Sequence, residues 1–241
     1  MKLKGRIALI TGGTGELGRA VVKHFRDEGA ETVVTYHSDS EATEFLNLFP
    51  DVLTLKGDLS EQNDVDKIFK SLLAKKGGLD ILCNLVGGYM PKKNITELTE
   101  REWDFMFALN LKTCFLCSQS ALRVMQIKKY GRIVNVSAMA GLSPSAGRGA
   151  YGISKSAIAA FTHIAGEETK SLSESNITVN AIAPSILLTE SNKHSASKEE
   201  TKGWVTLEEA AAVIGFLASD EASSINGETI KVYGGIKSHL H

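Results

Sequence analysis

The chain alternates short, almost continuously apolar runs with longer stretches in which apolar residues return every three or four positions. The runs at 7–10, 32–36, 52–55, 81–86, 132–136, 177–183 and 229–233 predict strands covered on both faces, as in a parallel sheet. Between them, Leu17, Val21 and Phe25 mark one face of a first helix. Thr99 with Glu102, and Thr206 with Glu209, have capping-box spacing at two later helix starts. Strands alternating with helices imply βαβ units, and hence one doubly wound α/β domain over residues 1–241 with a parallel, seven-stranded sheet.

Composition narrows this reading without changing it. At 241 residues and 43% hydrophobic content the chain fills one core, and no linker, repeat or low-complexity stretch divides it. Lys and Arg number 27 against 28 Asp and Glu, with no basic block to neutralise a run of phosphates, so no nucleic-acid partner is expected. The apolar run 7–10 is too short for a signal segment or a membrane span, which predicts a soluble, cytoplasmic protein with no membrane partner. Cys83, Cys114 and Cys117 are an odd count that suggests no disulfide framework. Cys114 and Cys117 spell C-x-x-C inside an apolar helix, away from the helix N-terminus that would activate a thiolate, and are read as core residues rather than a metal or redox site.

The first predicted strand runs into Thr11-Gly12-Gly13-Thr14-Gly15-Glu16-Leu17-Gly18 and then into a helix. Glycines in such a turn let the backbone approach a diphosphate, whose charge is met by N–H groups at the helix start. Gly12, Thr14, Gly15, Leu17 and Gly18 are therefore candidate dinucleotide contacts. A carboxylate at the end of the second strand would hold a ribose 2′-hydroxyl and repel a 2′-phosphate. Here the chain reads Tyr36-His37-Ser38 instead, which favours NADP(H) over NAD(H).

Further along, Tyr151-Gly152-Ile153-Ser154-Lys155 begins a helix. Spacing of i and i+4 puts phenol and ammonium on one face, where the positive neighbour is expected to lower the phenol pKa and fit Tyr151 for acid-base work.

Thr11 to Gly18, Asp58, Asn84, Asn110, Tyr151, Lys155 and the segment Pro184 to Thr189 together resemble the short-chain dehydrogenase/reductase family, across essentially the whole chain. The resemblance implies a Rossmann-type sheet and hydride transfer between a nicotinamide and a carbonyl or alcohol carbon. In that scheme Tyr151 exchanges the proton, Lys155 holds the nicotinamide ribose, and Asn110 supports the proton relay. Asp58 with Leu59 would meet the adenine, and Asn84, Val86 and Gly87 the cofactor's middle. Pro184, Leu187 and Thr189 would hold the carboxamide end. The resemblance also implies a homo-oligomer, most often a tetramer, with the helices around Trp103 to Met125 and Ala157 to Thr169 pairing.

Four departures stand out. Glu16 occupies a middle-glycine position of one form of the motif, Leu85 replaces a second Asn after Asn84, and Ser185 replaces a glycine. Ala138 stands at the catalytic serine position, and Ser137, one residue away, should point to the opposite side of its strand. Ser143 and Ser145 are the nearby hydroxyls that could substitute. The overall pattern is similar to 3-oxoacyl-carrier-protein reductases, so a small carbonyl compound or an acyl thioester is the expected substrate. Ala138 and the stretch Val86 to Tyr89 are locally similar to quinonoid dihydropteridine reductases, and a non-catalytic redox sensor is a further alternative. Residues 190–203, polar and short, are the expected substrate lid.

Overall fold

In the computed structural model, which describes residues 1–194, 196, 197 and 199–236, every predicted strand is present. They are β1 (Ile7–Thr11), β2 (Glu31–Tyr36), β3 (Leu53–Lys56), β4 (Ile81–Asn84), β5 (Tyr130–Val136), β6 (Asn176–Pro184) and β7 (Thr229–Val232). All neighbours pair parallel, in the order β3-β2-β1-β4-β5-β6-β7. Winding reverses between β1 and β4, so the loops leaving these two strands diverge and open a crevice at their carboxyl ends.

Around the sheet lie α1 (Glu16–Asp27), α2 (Asp39–Leu48), α3 (Gln62–Lys76), α4 (Glu100–Phe107), α5 (Thr113–Lys128), α6 (Met139–Leu142), α7 (Gly149–Lys170), α8 (Glu190–Lys193) and α9 (Leu207–Leu217). Strand alternation decides which helices each residue meets. Ile10, Val34, Ile81 and Val134 pack with Val21, Phe25, Phe45 and Ile214 under α1, α2 and α9. Leu9, Val33, Leu82 and Ile133 face the other way, onto Ile68, Leu72, Leu116 and Met125 of α3 and α5. Both expected capping boxes form, Thr99 with Glu102 on α4 and Thr206 with Glu209 on α9.

Some strand ends differ from the sequence reading for local reasons. β4 stops at Asn84 rather than at residue 86, because the N–H groups of Leu85 and Val86 turn to the Thr11 hydroxyl at 3.1 and 3.5 Å. Val52 precedes β3, since its N–H closes a turn onto the Phe49 carbonyl at 3.2 Å. The three cysteines are buried and free, and desolvation pushes their thiols up, Cys114 to about 12. No helix among the described residues is long and apolar enough to cross a membrane. The expected lid begins with α8 and ends in a short 3-10 turn at Glu200–Gly203, and its Ser195 and Lys198 lie outside the described residues.

Phe25 is fully buried between the sheet and α9. Phe25→Ala should therefore cost about 3–5 kcal/mol of stability, read as a lowered urea midpoint. A loss below 1 kcal/mol would show that this seam is not close-packed.

Candidate active site

The glycine turn is built for close approach of a ligand. Gly12 has φ +62°, and a Cβ there would meet Val86 at 3.1 Å. A Cβ on Gly18 would come within 2.5 Å of the Gly12 carbonyl oxygen, so α1 lies directly against the turn. Gly15 caps α1 with no side-chain hydrogen bond, which leaves the N–H groups of the first turn available to an anion. Beside the turn lies a cavity of about 630 Å³, whose lining includes Gly12, Thr14, Gly15, Tyr36, His37, Asp58, Leu59, Val86 and Gly87. These residues suit the adenosine and diphosphate portions of a dinucleotide. The Asp58 carboxylate accepts from the hydroxyl and the N–H of Ser60 at 2.7 and 2.8 Å, bonds that hold it below the usual carboxylate range.

Several expected contacts lie elsewhere. Asn84 turns into the sheet, where its amide donates to Asn135 at 2.8 Å and Ser118 at 2.9 Å, so its side chain ties β4 to β5 and α5 rather than lining the cavity. Leu17 packs on the core, Gly18 lies beneath the turn, and Ser38 shares a 2.7 Å hydroxyl contact with Ser40 at the start of α2. Pro184 closes β6 and is buried. Leu187 bridges to Val205, and the Thr189 hydroxyl caps α8 by accepting from Asn192 at 3.1 Å. The carboxylate of Glu16 accepts the Glu190 N–H at 2.8 Å, joining the glycine turn to the start of α8.

Lys155 and Asn110 lie against Gly87 at the cavity's edge, and Tyr151 stands one helical turn before Lys155 on α7. Between α4 and α5 the chain widens into a π-helical turn at Ala108–Lys112, with Asn110 at its centre. Asn110 accepts the Gly88 N–H at 2.8 Å and donates to Ser154 at 3.0 Å, and the Ser154 hydroxyl donates to the Tyr151 carbonyl at 2.8 Å. Lys155 is buried, and its ammonium donates to the Val136 carbonyl at 2.9 Å. A Cβ on Gly87 would lie 3.0 Å from that ammonium and 2.9 Å from the Asn110 amide oxygen. One cavity-lining glycine thus touches both partners, and a side chain there would separate them.

The expected lowering of the Tyr151 pKa by Lys155 is not what the structure gives. Burial raises the Tyr151 phenol, and the cation opposing that rise is Arg148, with the neighbouring Tyr89 adding to it. The Tyr89 ring meets Tyr151 edge-on at 5.3 Å, and Arg148 lies over Tyr89 at 5.0 Å. Arg148 was not legible as part of the site, and Tyr89 entered only within the stretch Val86 to Tyr89, because only the fold brings residues 89 and 148 together. Desolvation dominates at Lys155 as well, drawing its ammonium down to about 8.

At the serine position, Ala138 is buried in extended backbone before α6. The Ser137 hydroxyl donates to the Lys155 carbonyl at 2.8 Å, so it anchors α7. Ser143 has a buried hydroxyl with no hydrogen-bond partner among the described residues, while Ser145 is exposed.

This arrangement has relatives. A family model described as enoyl-(acyl carrier protein) reductase matches residues 14–237. A protein of Picea abies described as a short-chain type dehydrogenase/reductase is 30% identical over 97% of this chain and 93% of its own length. The chain belongs to the short-chain dehydrogenase/reductase family. The 3-oxoacyl-[acyl-carrier-protein] reductase of Vibrio cholerae is 30% identical over 98% of this chain and 99% of that protein. The crystal structure of levodione reductase superposes with a TM-score of 0.88 at 26% identity, over 99% of this chain and 100% of that one. As a short-chain dehydrogenase/reductase the chain is an oxidoreductase that uses a nicotinamide dinucleotide.

The buried ammonium of this short-chain dehydrogenase/reductase has a consequence for stability. Below pH 8 or so Lys155 is charged in both folded and unfolded chains, and the cost of burying the charge, about 3 kcal/mol, stands in full. Between about 8 and the ordinary 10.5 only the unfolded chain keeps the proton, so stability contributed by this residue rises with pH. Urea midpoints on either side of that window should rise for the wild type relative to Lys155→Met. A constant difference would mean that Lys155 titrates normally.

Proposed function

We propose that the chain reduces a 3-oxoacyl thioester or another small carbonyl compound, with Tyr151 delivering the proton to the carbonyl oxygen. The observation carrying this reading is that Asn110 and Lys155 abut Gly87 of the glycine-turn cavity, while Asn110 and Ser154 tie the Tyr151 main chain to the same turn of α7. When bound, the dinucleotide supplies the hydride. Gly12, Gly15 and the open first turn of α1 hold its diphosphate, Asp58 and Leu59 flank the adenine, and Lys155 meets the nicotinamide ribose. Placing the adenosine end near Tyr36, His37 and Ser38 gave the sequence-based expectation of NADP(H), because β2 carries no terminal acid.

Tyr151 is a hydroxyl that burial keeps protonated, as a proton donor requires. With Ala138 in place of serine, the substrate oxygen lacks one fixed donor, which in other enzymes costs about 2.7–4 kcal/mol of transition-state stabilisation when nothing replaces it. The likeness to a 3-oxoacyl reductase favours the carbonyl reading over a quinonoid ring or a sensor role. Exposed Phe115 on α5 and Ile153 and Ile164 on α7 support a homo-oligomer, with a tetramer as the proposed state and the cytoplasm as its place.

Purified protein assayed with NADH and NADPH against an acetoacetyl thioester, a diketone and quinonoid dihydropterin tests this. Turnover of the first two is expected, and Tyr151→Phe should lower kcat by about 10²- to 10⁴-fold while leaving dinucleotide affinity intact. Full activity in that variant would remove Tyr151 from the mechanism, and turnover of the dihydropterin alone would replace the carbonyl substrate.

A further inference from the structure

The end of β2 lacks an acid, yet a carboxylate reaches the same cavity from another element. Glu41, in the first turn of α2, lines the cavity together with Thr14, Tyr36, His37 and Asp58. The Thr14 hydroxyl donates to its Oε2 at 3.3 Å, so the carboxylate sits against the glycine turn itself. Its Oε1 accepts nothing from the described residues and remains available to a ligand hydroxyl.

The nearby cations are engaged elsewhere. Arg19 donates to the Thr14 carbonyl at 2.8 Å and pairs with Glu44 at 3.1 Å. Lys56 pairs with Asp39 at 2.5 Å. His37, exposed on the cavity wall, is the basic side chain in the lining among the described residues. A second carboxylate, Glu16, flanks the same turn and is held by the Glu190 N–H. Although Arg19 sits on the same Thr14, Glu41 forms no ion pair among the described residues, so its carboxylate is the unpaired charge on the side where α2 begins.

We propose that Glu41 sets the dinucleotide specificity of this enzyme. Its carboxylate accepts from a hydroxyl of the adenosine ribose and repels a 2′-phosphate, so the chain selects NAD(H) over NADP(H). The expectation of NADP(H) rested on the missing acid of β2, and Glu41 supplies that acid from five positions beyond Tyr36. The inference depends on the dinucleotide reading of the cavity, and it concerns one end of that ligand, apart from the carbonyl substrate.

The test is a binding measurement that needs no turnover. The full chain is titrated with NADH and NADPH at low salt by nucleotide fluorescence, and with 5′-ADP and 2′,5′-ADP as competitors. Wild type should bind NADH on the order of tenfold more tightly than NADPH, a factor equivalent to about 1.4 kcal/mol. Glu41→Gln and Glu41→Ala should close most of that gap by strengthening NADPH and 2′,5′-ADP. Added salt should narrow the wild-type gap, because the repulsion acts at a partly exposed site. Equal affinity of wild type for the two dinucleotides, or an unchanged ratio in both variants, would overturn the assignment to Glu41. Folded wild type that binds neither dinucleotide nor either ADP would overturn the dinucleotide reading itself, an outcome distinct from a failure of selectivity.

Discussion

One buried hydroxyl holds the two halves of the site in register. Thr11 Oγ1 donates to the Cys83 carbonyl at 3.3 Å and accepts from the N–H groups of Leu85 and Val86 at 3.1 and 3.5 Å. Those N–H groups lie past the last main-chain rung between β1 and β4, where Thr11 pairs with Asn84. Buried main-chain donors need partners, and a side chain supplies them here while letting the backbones part. From that point the chain goes one way into the Gly12 turn and the other way into Val86 and Gly87. The glycine turn and the wall that lies against Lys155 and Asn110 are therefore referred to a common origin.

Burial then gives the proposed catalytic side chains their character. Lys155 is enclosed, with its ammonium held by the Val136 carbonyl and its own carbonyl held by Ser137. Tyr151 is half-buried, with Tyr89 against its ring and Arg148 beyond. The i and i+4 spacing brings Tyr151 and Lys155 to one helix face, but it does not set their protonation. The balance is decided by how much water the surrounding elements exclude, and for both residues desolvation is the larger influence.

What the sequence made legible follows from what is local. Strands buried on both faces leave continuous apolar runs, and helix starts leave capping boxes, so the elements and the doubly wound sheet were readable. The glycine turn and the Tyr151–Lys155 pair were readable because each lies within a few consecutive residues. The side-chain partners of Asn84, an expected cofactor contact, were not readable because nothing local shows that Asn135 and Ser118 stand opposite it. Glu41 and Arg148 were missed for the same reason. Their place at the site depends on packing between segments far apart in the chain, and no spacing rule records that.

The pairing of β1 with β4 also fixes an order of assembly. The bond from the Leu85 N–H to the Thr11 hydroxyl joins residues 74 positions apart. A chain made from its N-terminus therefore carries the glycine turn long before it owns the strand that clasps it. Closing so wide a loop has an entropic cost that local helix formation does not meet, and parallel sheets with such separations fold slowly. The glycine turn, made early, is consequently clasped only once the chain through residue 85 is present.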